Sequence, residues 1–158
     1  MIQASKVMNV TARDFFDMLV DSVLYDIKKS TGKKINRSQF HKGTNYRKKI
    51  KTNAKGKKGV LVKVTVTAFE APYLYEATFS GDTDSTRIRY EIEELEDDQI
   101  RVTYSEDAGN VSGVNKPMRW LQTKIGQRNL KASLDGMEKA VQEHMAQASA
   151  RKELDEEE

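Results

Sequence analysis

The chain reads as an α+β protein, a curved antiparallel sheet of about six or seven strands packed against a long C-terminal helix. Two observations predict this. Val60, Val62, Val64 and Val66, then Tyr73, Tyr75, Ala77 and Phe79, then Ile88, Tyr90 and Ile92, and finally Ile100, Val102 and Tyr104 recur at every second residue, the spacing that lines one face of a strand. An amphipathic helical pattern precedes these strands and another follows them. A sheet with one apolar face must bury it, and these two segments are long enough to cover it.

In chain order, residues 1–10 suit a first strand, with Ile2, Ala4, Lys6 and Met8 alternating against Gln3, Ser5, Val7 and Asn9. Thr11 then caps a helix. Asp14 stands three residues on, where an acid closes a capping box, and Val10 is placed to staple onto Phe15. Phe15, Phe16, Leu19, Val20, Val23, Leu24 and Ile27 make the apolar stripe, Lys28 and Lys29 suit the negative end of the helix dipole, and Gly32 ends it. Residues 33–59 have few large apolar anchors, Ile35, Phe40, Tyr46 and Ile50. They read as a loop, a strand near 44–52 and a turn over 53–59. Ala71-Pro72, Ser80-Gly81-Asp82 and Glu96-Asp97-Asp98 separate the strands that follow. Beyond the glycine-flanked stretch 109–113, Pro117 suits the first turn of a short helix carrying Met118, Leu121 and Ile125. The main C-terminal helix places Leu130, Leu134, Met137, Val141 and Met145 at steps of three and four.

At 158 residues the chain reads as one domain over residues 1–150 with an acidic tail over 151–158, large enough to bury about two-thirds of the surface it exposes when unfolded. The absence of cysteine excludes disulfides, thiolate chemistry and zinc–cysteine sites. With no signal-like start and no apolar run of membrane-spanning length, a cytoplasmic location is expected. The net charge of +3 conceals segregation: fourteen Lys or Arg and no acid lie between Ile27 and Phe69, and twelve acids face three arginines between Glu70 and Asp107. On strands, Arg87, Arg89, Glu91, Glu93 and Arg101 suit outward cross-strand ion pairs.

Strand, helix, a run of antiparallel strands and a long last helix together resemble the helix-grip fold of the START-like, or birch-pollen-allergen-like, superfamily (SRPBCC). The resemblance covers the whole chain and rests on element order. Within that superfamily the chain is most similar to a small bacterial family, itself without an assigned role, that consists of this domain alone. Superfamily members carry lipids, bind plant hormones, cyclise polyketides or activate a chaperone. The resemblance implies a cavity between the sheet and the last helix, lined by Tyr73, Tyr75, Phe79, Tyr90, Tyr104, Leu134, Met137 and Val141. A small, largely apolar ligand in that cavity is the expected role, and no cofactor is expected.

Read from the residues themselves, four tyrosines on one sheet face bring apolar rings with hydroxyls that need partners. They suit either a ligand cavity or the filling of a strongly curved sheet. Arg47, Lys48, Lys49, Lys51, Lys55, Lys57 and Lys58 form a basic patch with Phe40 and Tyr46 near it, within a basic face spanning residues 28–63. Such a patch can hold phosphates while aromatics stack bases, or meet an acidic protein. Sparse aromatic interleaving and the lack of a nucleic-acid motif favour a solvated face over nucleic acid. A cyclase- or hydrolase-type enzyme would need residues that meet only in the fold, because His41 and His144 have no triad or metal partners near them in sequence.

Overall fold

The computed structural model describes residues 1–50, 60–82, 84–110, 130–147 and 150. Its strands are β1 (Ile2–Met8), β2 (Asn45–Ile50), β3 (Val60–Glu70), β4 (Leu74–Ser80), β5 (Asp84–Glu94) and β6 (Ile100–Asn110). Strands β2 to β6 meander, and β1 closes the sheet against β6, giving the spatial order β1-β6-β5-β4-β3-β2 with every pair antiparallel. Helix α1 (Ala12–Thr31) and a single 3-10 turn (Arg37–Gln39) lie between β1 and β2. A second helix, α2, covers residues 130–147. This is the helix-grip arrangement. The expected turn over 53–59, the short helix after Pro117 and the tail over 151–158 lie outside the described residues.

Helix α1 starts and stops where local chemistry dictates. The Thr11 hydroxyl accepts the Asp14 N–H at 3.1 Å and donates to the Asp14 carboxylate at 2.8 Å, so a backbone donor without an intrahelical partner is satisfied. At the other end Gly32 takes φ 74°, a left-handed conformation that costs other residues strain, and its N–H reaches the Lys28 carbonyl at 2.8 Å.

The period-two pattern turns into burial. Ile2, Ala4 and Met8 of β1, Val64 and Val66 of β3, Tyr75 and Ala77 of β4, Ile92 of β5, and Ile100, Val102 and Tyr104 of β6 are buried. They share one core with Phe15, Phe16, Leu19, Val20 and Ile27 of α1 and with Leu130, Leu134 and Val141 of α2. One feature of β3 departs from simple alternation. A register shift between Val66 and Ala68 sets Val66 opposite Ala77 and Phe69 opposite Tyr75. The extra residue reverses the strand's phase and strengthens its local twist, so Phe69 rejoins the core and reaches Phe16, ring centroids 5.4 Å apart.

The outer face is polar and ion-paired as its sequence suggests. Arg89 bridges Glu76 and Glu91, Arg101 meets Glu93, and Arg87 meets Asp107. Glu76 is buried behind this layer, beside the bulge. Burial pushes its carboxyl up, yet hydrogen bonds from Thr67 and Arg89 outweigh that and hold it below the usual glutamate value.

Candidate functional site

The pairing register assembles the inward aromatics into one transverse row. Phe69 of β3 lies opposite Tyr75 of β4, Tyr75 opposite Tyr90 of β5, Tyr90 opposite Tyr104 of β6, and Tyr104 opposite Ala4 of β1. Ring centroids are 6.3 Å apart for Tyr75 and Tyr90 and 4.8 Å for Tyr90 and Tyr104, tilted as the aromatic quadrupole favours. Phe15 of α1 packs on Tyr90 and Phe40 stacks on Tyr75. The row is therefore a floor supported from the α1 side.

The other residues expected around a cavity are distributed unevenly about this floor. Leu134 and Val141 of α2 are buried with it, and Met137 is partly buried against the same core. Phe79, also partly buried, lies nearer the β2 edge, where the Lys48 ammonium stands 5.9 Å from its ring centroid. Tyr73 stands apart: it closes the turn before β4, is 49% exposed, and gives its hydroxyl to Glu94 at 2.8 Å. Its alternation with Tyr75 continues past the part of the sheet that the helices cover.

Two charged residues in inward phase, Glu106 and Lys6, were not among the expected site residues, although Lys6 was placed in the alternation of β1. Glu106 follows Ile100, Val102 and Tyr104 at the same two-residue step, pairs across the sheet with Ile88 and Ile2, and is half-buried. It accepts the Tyr104 hydroxyl at 2.5 Å. Lys6 occupies an inward position on β1 and reaches α2, pairing with Asp135 and with Glu138 at 2.8 Å. Glu138 also accepts the Asn9 N–H at 2.8 Å. Polar residues at apolar phase were the signal available for both.

The site's electrostatics keep its hydroxyls protonated. Burial, then the nearby Glu106 charge, pushes Tyr90 up to about 12. Tyr104 is raised by burial and by its bond to Glu106, Tyr75 by burial and its neighbours Tyr90 and Asp26, and Tyr46 by burial and its bond to Asp26. At neutral pH these groups are neutral donors and acceptors set in apolar surroundings. Among the described residues no three His, Asp or Glu side chains converge in metal-binding geometry.

The basic patch divides. Arg47 and Lys49 are exposed on β2, whereas Lys48, of opposite strand phase, is half-buried and bonds Asp26 of α1 at 2.8 Å. Lys51, Lys55, Lys57 and Lys58 lie outside the described residues. The alternative in which Phe40 and Tyr46 stack bases beside this patch is not available to them where they lie. Phe40 is buried between Phe69 and Tyr75, and Tyr46 is buried with its hydroxyl on Asp26 at 2.6 Å, because both are needed to close the core at the β2 edge. Here the described residues also outline a groove of about 530 Å³, lined by Asp26, Lys29, Ser30, Arg47, Lys48, Lys49 and Leu61.

Comparison with known proteins identifies a family and several solved structures of like fold. The family described as "Domain of unknown function (DUF3284)" matches residues 2–126. No curated protein matches. Solved structures do. The START superfamily protein from Mycobacterium smegmatis superposes with a TM-score of 0.61 at 14% identity, covering 90% of this chain and 97% of that one. Ara h 8.0201 gives 0.59 at 14% identity, covering 92% and 97%. The di-domain ARO/CYC StfQ from the steffimycin biosynthetic pathway gives 0.57 at 10% identity, covering 92% of this chain and 46% of that one. At such identities the likeness is one of fold.

Proposed function

The chain belongs to the DUF3284 family, and from its helix-grip fold and concave face we propose that it reversibly binds a small, largely apolar ligand between the sheet and α2. The ligand carries a hydrogen-bond donor. The observation that carries this reading is the Tyr75–Tyr90–Tyr104 row ending beside the inward carboxylate of Glu106. Rings supply a broad apolar floor, and a few polar groups on such a floor orient a ligand without the cost of desolvating many. A half-buried carboxylate beside Ile2, Ile88 and Tyr104 gives up part of its hydration, and hydrogen bonds to its lone pairs offset that loss. Tyr104 uses part of that capacity, and a hydroxyl or amine on the ligand uses more. The likeness in fold to the START superfamily protein supports a ligand-binding reading of this fold.

Native mass spectrometry of the purified protein tests the reading, paired with titration of an apolar fluorescent probe. A retained small molecule or saturable probe binding is expected. Tyr90→Phe keeps the ring and removes one hydroxyl, and Glu106→Gln removes the charge. Each should weaken binding of the retained molecule by about tenfold, the worth of one or two hydrogen bonds. No retained molecule, and no probe bound by either the parent or the variants, would rule the reading out.

A further inference from the structure

The groove at the β2 edge is built differently from the concave face, with charged side chains in place of the aromatic row. Two of its lining charges are spoken for: Lys48 and Asp26 neutralise each other across 2.8 Å, and Asp26 also holds Tyr46. Lys29 at the end of α1 and Arg47 and Lys49 on β2 remain, all exposed, and none lies within 4.0 Å of a carboxylate among the described residues. Elsewhere on the outer sheet face, which Arg47 and Lys49 share, Arg87, Arg89 and Arg101 each have an acid. The C-terminal end of α1 adds a negative partial charge of about half a unit, too little to offset three cations. The Gly32 N–H and Thr31 hydroxyl further occupy the Lys28 and Ile27 carbonyls. Ser30 contributes a hydroxyl and Leu61, 52% exposed, an apolar wall.

We propose that this groove binds a small organic polyphosphate, with Lys29, Arg47 and Lys49 on the phosphate oxygens and Leu61 against the organic part. Arg47 offers two parallel donors to a phosphate, which a lysine cannot. The volume of about 530 Å³ suits a compact ligand. A nucleic-acid strand would need a longer track with aromatic platforms, and the two nearby aromatics, Phe40 and Tyr46, are buried in the core.

Calorimetric titration with inorganic tripolyphosphate, ATP and a single-stranded oligonucleotide tests this. Tripolyphosphate and ATP should bind at low salt and weaken as salt rises. The triple variant Lys29→Ser, Arg47→Ser and Lys49→Ser should lose about tenfold or more in affinity, the summed worth of three exposed ion pairs. A charge-matched control, Lys33→Ser, Lys34→Ser and Lys42→Ser, should keep it. Circular dichroism confirms folding of both, and binding of the apolar probe should be unchanged in both. Equal losses in the two variants, binding of the oligonucleotide alone, or no binding of either polyphosphate at low salt would overturn the assignment.

Discussion

Tyr90 sits at the middle of the aromatic row, and its ionisation can be read in solution. Its folded value of about 12 exceeds the ordinary 10.0, so folding favours the protonated phenol. That contribution is complete below pH 10 and is lost as the pH rises from 10 towards 12. Thermal midpoints measured across this range should fall less steeply in Tyr90→Phe than in the parent, and equal slopes would show that Tyr90 titrates as an exposed phenol. Glu138 makes the opposite acid-side prediction. The hydrogen bond from Lys6 holds its carboxyl below the ordinary 4.5, against the opposing effect of burial. Its contribution is present above 4.5 and disappears as the pH falls through the lowered value. Glu138→Gln should therefore melt lower at neutral pH and show a shallower decline below pH 4.5. Phase alone would have singled out Lys6 and Glu106, each being the charged member of an otherwise apolar alternation. Their partners would not have been found, since Lys6 and Asp135 are 129 residues apart.

Local signals determine where α1 begins and ends. A Thr11→Ala change should cost about 1 kcal/mol in urea unfolding, the usual worth of an N-cap. At Gly32 an added Cβ meets nothing within 4 Å, yet φ is 74°, so Gly32→Ala should cost about 1 kcal/mol through backbone strain alone. A neutral Gly32→Ala would mean the helix end relaxes to another cap. The strands from β3 to β6 were legible from period-two spacing, and β2, expected near 44–52 without such a pattern, is observed at Asn45–Ile50. The bulge in β3 was not, because Val66-Thr67-Ala68-Phe69 carries no residue that demands one. Its position follows from Phe69 being held by Phe16 and Phe40. In α2, Leu134 is 2% exposed, and Leu134→Ala should cost about 2 to 5 kcal/mol, the range for emptying a core leucine site.

At the scale of the molecule, α2 lies beyond the residues that the family matches, which end at 126, yet it buries Leu130, Leu134 and Val141. Each is worth about 1.5 to 3 kcal/mol when buried, against a usual total stability of about 5 to 15. A chain ending at Gly126 should show no cooperative thermal transition. Native-like melting of that chain would make α2 an appendage rather than part of the grip. The order of the described elements, the inward residues of β1, β4, β5, β6 and the first half of β3, and the ends of α1 were determined by the sequence itself, because each depends on neighbours within a few residues and on a fixed helical or strand period. Which tyrosines meet was decided only in the tertiary structure. Tyr75, Tyr90 and Tyr104 form a row because the β4–β5 and β5–β6 registers align them, while Tyr73, two residues away, falls beyond the cover. Register depends on turn geometry and on core packing summed across the sheet, and no single segment of the chain contains that information.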